Sequence, residues 1–150
     1  MKLSLPILFF LLLLYSCNNN TVFESIKEFP DRIWTYDDTF TSEFSIKNDT
    51  VHYDIYFGIS HNENYPFQNI YLKITDNFTG SLNADTINID LYDKSGMIKG
   101  KKYGSNYHLN TLLRKSFLFP KSGNYNIKIE QFTRKDSLEG VTEVDFLISK

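Results

Sequence analysis

The chain reads as an all-β protein, an antiparallel β-sandwich of Ig-like or jelly-roll-like two-sheet architecture, placed after an amino-terminal lipoprotein signal peptide. Three observations lead there. Apolar and polar residues alternate with period two in run after run, the mark of strands with one face in a core and one in water. Clusters of Asn, Asp, Ser and Gly punctuate those runs as turns. The composition holds 13 Phe and 10 Tyr, and Ala84 is the sole alanine. Aromatic-rich, alanine-poor chains favour pleated sheets over helical bundles.

The first sixteen residues are set apart. Lys2 carries a positive charge, and Leu3 to Leu14 is almost wholly apolar before Asn18, Asn19 and Asn20 close the run. That length suits a secretory signal and falls short of the roughly twenty residues that span a bilayer. Leu14-Tyr15-Ser16-Cys17 resembles a lipobox, with the cut expected between Ser16 and Cys17 and a covalent lipid on the Cys17 thiol. Cys17 is the single cysteine, so lipidation leaves no thiol for a disulfide or a metal. Several acyl chains, at about 0.8 kcal/mol per buried CH₂, hold a protein to a membrane almost permanently.

Residues 17–28 are expected to be a lipidated tether with one weak helical turn near Glu24–Lys27, and 29–150 the sandwich domain. Phe29-Pro30-Asp31-Arg32-Ile33-Trp34 opens it. Phe40, Ser42, Phe44 and Ile46 share one strand face; so do Tyr53, Ile55, Phe57 and Ile59. Ile70, Leu72 and Ile74 make a third strand, and Ile87, Ile89 and Leu91 a fourth. Lys101, Lys102, Tyr103, Gly104 and their neighbours read as a basic loop, followed by a short helical turn over 108–113. A strand is then expected from Phe117 and Phe119, another through Tyr125, Ile127 and Ile129, and a last through Val144, Phe146 and Ile148. Seven or so short strands point to a sandwich; spacing alone leaves a closed barrel open.

About 134 residues remain after the cut, enough for one self-sufficient core. The net charge of −2 falls to about −3 without Lys2, so no basic field serves nucleic acid. No metal is expected, because His52, His61 and His108 are scattered and nothing shows convergent ligands. Asp85, Asp90 and Asp93 lack the spacing of a calcium loop, and Asp93-Lys94-Ser95-Gly96 is a turn sequence. No Gly-x-Ser-x-Gly elbow occurs, and no catalytic residue is assigned. Tyr65, Phe67, Tyr71, Tyr103 and Tyr107 are candidates for an aromatic platform; frequent aromatics more often fill a core. Beside Gly and Lys, the loop residues Lys101, Lys102, Tyr103 and Tyr107 are the best candidates for an exposed interaction surface.

Three segments together resemble the gliding-motility lipoprotein GldH family of the Bacteroidota. They are Phe29-Pro30-Asp31-Arg32-Ile33-Trp34, then Tyr65-Pro66-Phe67-Gln68-Asn69-Ile70-Tyr71, and a carboxy-terminal run. That run comprises Phe119-Pro120-Lys121-Ser122-Gly123-Asn124-Tyr125, Ile129-Glu130-Gln131, Arg134 and Leu138-Glu139-Gly140-Val141. Where the family tends to carry an acidic residue in a glycine-rich stretch, this chain has Lys99-Gly100-Lys101-Lys102-Tyr103-Gly104. The resemblance implies a non-enzymatic, lipid-anchored component of gliding motility and its associated secretion machinery, working through protein partners. It implies no small-molecule substrate and no cofactor beyond the covalent lipid. Thr50, Thr86 and Ser137, in Asp-Ser/Thr-apolar triplets, resemble O-glycosylation acceptors of that phylum. Asn18 after the cysteine, with no acidic run, gives the outer membrane as the expected location, facing the periplasm. The alternative is a glycan- or peptide-binding lipoprotein that uses Tyr103 and Tyr107.

Overall fold

A computed structural model describes residues 20–150; the signal peptide, Ser16 and Cys17 lie outside them. Eleven strands follow in order: β1 (Thr21–Glu28), β2 (Ile33–Thr35), β3 (Phe40–Ile46), β4 (Tyr53–His61), β5 (Asn69–Asp76), β6 (Asn83–Asp90), β7 (Lys101–Tyr103), β8 (Asn106–Phe117), β9 (Gly123–Gln131), β10 (Ser137–Glu139) and β11 (Val141–Ser149). They form a five-stranded sheet ordered β1-β11-β4-β8-β7 and a four-stranded sheet ordered β3-β9-β5-β6, with β2 and β10 as a separate two-stranded ribbon. Every pairing is antiparallel. The chain crosses between the large sheets at β1–β3, β3–β4, β4–β5, β6–β7, β8–β9 and β9–β11. That repeated crossing makes the architecture a jelly roll rather than an Ig fold. Each large sheet ends in free edges, so the barrel is ruled out.

The alternation places the core where hydrophobic patterning puts it. On β3 burial alternates residue by residue, with Phe40, Ser42, Phe44 and Ile46 inside. Ile55, Phe57 and Ile59 of β4 and Val144, Phe146 and Ile148 of β11 face them from the other sheet, all fully buried. Phe44 meets Phe146 across the gap at 5.7 Å between ring centroids. Phe119 lies in the connection after β8 rather than starting a strand, and its ring packs 4.6 Å from Tyr125 and 4.9 Å from Phe117. Trp34 is fully buried, stacks on Phe29 at 5.5 Å and donates its indole N–H to the Asp38 carbonyl at 2.7 Å.

Two further segments differ from their sequence reading. The expected tether and weak helical turn do not form over 21–28; that stretch is β1, pairing with β11 from Thr21↔Ser149 to Glu28↔Glu143. Its inward positions are Phe23, Ser25 and Lys27, so the edge strand carries one apolar residue on its core face and hides its alternation. The expected helical turn over 108–113 is instead the middle of β8. Leu109, Leu112 and Leu113 have helical spacing, yet Leu109 and Leu113 pack on the core while Leu112 points outward, 41% exposed. That is strand parity, odd positions inward and even outward; the register against β4 shifts only beyond Leu112, at a bulge facing Tyr53–Tyr56.

Candidate functional site

The basic loop of the sequence is a hairpin. β7 and β8 pair through Lys101↔His108, Lys102↔Tyr107 and Tyr103↔Asn106, and Gly104 turns the chain at φ 60°. The hairpin forms the free edge of the five-stranded sheet. Tyr103 is 58% exposed, with Lys101 Nζ 5.5 Å from its ring centroid. Tyr107 is half-buried: its hydroxyl donates to Glu63 at 3.3 Å and Lys102 Nζ lies 5.0 Å from its ring. The neighbouring Tyr107, and beyond it Glu63, hold the Lys102 ammonium above its ordinary value. The two cation–aromatic pairs lie on opposite faces of this edge hairpin, because Lys101 and Lys102 are consecutive strand residues. The five tyrosines and phenylalanines singled out in the sequence do not converge. Tyr65 is core, Phe67 half-buried, and Tyr71 faces outward from the other sheet beside Phe132, which is 56% exposed.

Behind Tyr107 lies a buried histidine. His61 closes β4, stacks near Tyr107 at 6.3 Å and Tyr65 at 5.5 Å, and sets Nδ1 3.2 Å from the Asn62 carbonyl. Its Nε2 has no partner among the described residues. Burial holds its imidazole below the ordinary value, opposed by the Asn62 carbonyl. Burial likewise pushes the Tyr65 phenol up.

Strand pairing assembles a polar row that single strands do not reveal. Glu28, Glu143, Ser60, His108 and Lys101 stand side by side across all five strands. The next row places Asp145 over Gly58, between Ile26 and Asn110. His108 Nδ1 lies 3.0 Å from Ser60 Oγ, and its Nε2 is 3.6 Å from Asp145 Oδ1. Ser60 Oγ also donates to Glu143 Oε1 at 3.4 Å. The Asp145 side chain is only 7% exposed. Burial pushes its carboxyl up to about 6; His108 opposes the rise, and Glu143 and Glu24 add to it. A Cβ on Gly58 would come within 2.0 Å of Asp145 Oδ1, so only glycine gives that carboxylate room. The sequence reading named His108 and missed Ser60, Glu143 and Asp145; the period-two parity of β4 and β11 was the available signal, without the register that joins them. Ser, His and Asp recur here, but Ser60 is buried and turned to Glu143, on a sheet whose backbone N–H groups are committed to its ladders. The cluster is suited to holding a proton or a cation.

The remaining candidates are dispersed. Thr50, Thr86 and Ser137 are all exposed, in the β3–β4 turn, on β6 and on β10. Asp93 closes a turn, its Oδ1 accepting from Ser95 N, Ser95 Oγ and Met97 N at 2.8, 2.6 and 3.0 Å. Ser95 and Met97 hold its carboxyl below the usual range. Among the described residues no helix is long and apolar enough to cross a membrane.

Comparison with known proteins follows the same span. Residues 21–148 match the family described as GldH lipoprotein. The gliding motility lipoprotein GldH of Flavobacterium johnsoniae is 26% identical, over 93% of this chain and 91% of its own. A gliding motility lipoprotein GldH homolog of Christiangramia forsetii is also 26% identical, over 95% and 92%. Among solved structures, a non-crystalline cellulose specific carbohydrate-binding module superposes with a TM-score of 0.41 at 11% identity, covering 83% of this chain and 69% of that one. So loose a superposition transfers no property.

Proposed function

This chain belongs to the GldH lipoprotein family, and from that premise we propose that it is a non-enzymatic, lipid-anchored envelope component required for gliding motility and its associated secretion machinery, acting through contacts with other envelope proteins. The observation that carries the reading is the match over 21–148, which runs from β1 to β11 and takes in both sheets and the ribbon. The anchor is lipid on Cys17, with the outer membrane as its site and the sandwich in the periplasm. Only Asn18, Asn19 and Asn20 separate Cys17 from β1, a reach of at most ~14 Å even fully extended. Thr21 and Ser149 pair at one end of the five-stranded sheet, while His61 and Tyr107 pair at the other. The anchor and the β7–β8 hairpin therefore sit at opposite ends, and the hairpin is presented away from the lipid.

Deleting the protein should abolish colony spreading, and restoring it should rescue spreading. Cross-linked pull-down of the wild type should recover envelope proteins, and Lys101→Glu with Lys102→Glu should reduce that recovery severalfold without shifting the melting temperature. Recovery of lipid alone, or spreading unaffected by deletion, would sink the proposal. The exposed Tyr103 favours a second reading, a glycan- or peptide-binding lipoprotein. Saturable ligand binding lost in Tyr103→Ala, with the pull-down unchanged, would favour it.

A further inference from the structure

His108, Glu143 and Asp145 each turn one ligand-type atom toward a common point, and the three atoms lie within 4.8 Å of one another. We propose that they bind a divalent transition-metal ion of the zinc class on the outer face of the five-stranded sheet, with a fourth coordination position open to solvent.

The hydrogen-bond network presets the imidazole. Ser60 commits its hydroxyl hydrogen to Glu143, so its oxygen accepts from His108 Nδ1–H. In the neutral ring that assignment leaves His108 Nε2 as a lone pair, facing Asp145 Oδ1 at 3.6 Å. Asp145 Oδ1 is buried and has no hydrogen-bond partner among the described residues. Two acceptors facing each other across that distance attract a cation between them. Histidines that bind metal are oriented by a donor on the far nitrogen in this way.

Geometry and chemistry then choose the ion. Around a tetrahedral zinc at 2.0–2.2 Å, ligand atoms stand about 3.3 Å apart. The His108–Asp145 separation of 3.6 Å is close to that value, and the half-exposed Glu143 is free to close the remaining gap. One imidazole with two carboxylates suits zinc and its neighbours, whereas calcium takes six to eight oxygens and magnesium keeps several waters. Gly58 is part of the construction, because any side chain there would displace Asp145. The site adjoins the hairpin, since His108 pairs with Lys101, and it does not depend on the motility role.

The test is a Zn²⁺ titration of the full chain, extracted from membranes in detergent and stripped with chelator, followed by calorimetry and by thermal melts. One equivalent should bind and raise the melting temperature. Asp145→Asn and His108→Gln should each weaken binding about 100-fold, and Ser60→Ala, which alters only the positioning residue, about tenfold. His52→Gln, at an exposed histidine outside the cluster, should bind as the wild type does. Melts of each metal-free variant establish that it is folded. Absence of stoichiometric binding would overturn the site, as would equal binding by Asp145→Asn and His108→Gln or loss on His52→Gln. Calcium displacing zinc at comparable concentration would overturn the choice of ion.

Discussion

His61 shows how one buried side chain gives the fold a pH response. Its imidazole is fully enclosed among Tyr65, Tyr92 and Tyr107, and burial depresses its proton affinity. An unfolded chain protonates this histidine near 6.5, while the folded chain resists. The stability it contributes is therefore complete above 6.5 and is lost as pH falls through the lower folded value. Asp145 acts in the opposite sense: raised to about 6, it makes the fold gain stability as pH drops below that value. A single melting curve mixes the two, so the useful quantity is a difference. In chelator-treated protein, His61→Phe should gain stability relative to the wild type as pH falls from 7.5 to 5. Thermal melts across that range check this, and a gap independent of pH would remove His61 as the cause. Neither residue's role was legible in the sequence. A histidine at the end of an alternating strand looks the same whether its ring is solvated or walled in by three tyrosines, two of them from distant segments.

At the scale of the element, legibility followed how sharply each strand separates its faces. β3 alternates without exception, Phe40 to Ile46, and β5 and β9 nearly so; on β4 and β11 the apolar residues keep their parity although outward Gly58, Ser60 and Asp145 are buried as well. β1 defeats parity because it is an edge: Ile26 is outward and 53% exposed, while Ser25 and Lys27 point inward. β8 mimics a helix through Leu109, Leu112 and Leu113, with a bulge that only pairing to β4 explains. The polar cluster failed for a related reason: His108 was read into a helical turn, and alternation assigns Ser60, Glu143 and Asp145 to faces but leaves their strands unordered. The status of β1 is directly testable. Phe23 sits against Phe44 at 5.3 Å and Phe146 at 6.4 Å. Burying a phenylalanine fully makes Phe→Ala cost 3–5 kcal/mol, so this half-buried one should cost about 2 kcal/mol. Urea denaturation measures that directly. A midpoint unchanged by Phe23→Ala would return 21–28 to the role of a tether.

For the whole molecule, the jelly-roll path decides what the anchor can present. Successive long strands cross between the sheets, so the connections gather at the two ends of the sandwich. Lys150 donates its backbone N–H to the Asn20 carbonyl at the end where β1 begins. The β7–β8 hairpin and the buried His61 cluster occupy the far end. With β1 recognised as a strand, the linker from the anchor proposed at Cys17 shrinks from the eleven residues 18–28 to the three residues 18–20. A short linker confines the domain close to the bilayer and limits how far the hairpin can travel. A flexible linker of n residues wanders about 5–6 Å × √n, so lengthening three residues to thirteen allows roughly 10 Å more. That freedom dilutes the hairpin at any partner fixed at one height above the membrane. Inserting ten such residues after Asn19 should leave the melting temperature unchanged yet lower both spreading and cross-linked partner recovery. Restoring the length should restore both. Full spreading with the long linker would show that height above the membrane does not matter, and the orientation proposed for the hairpin would fail with it.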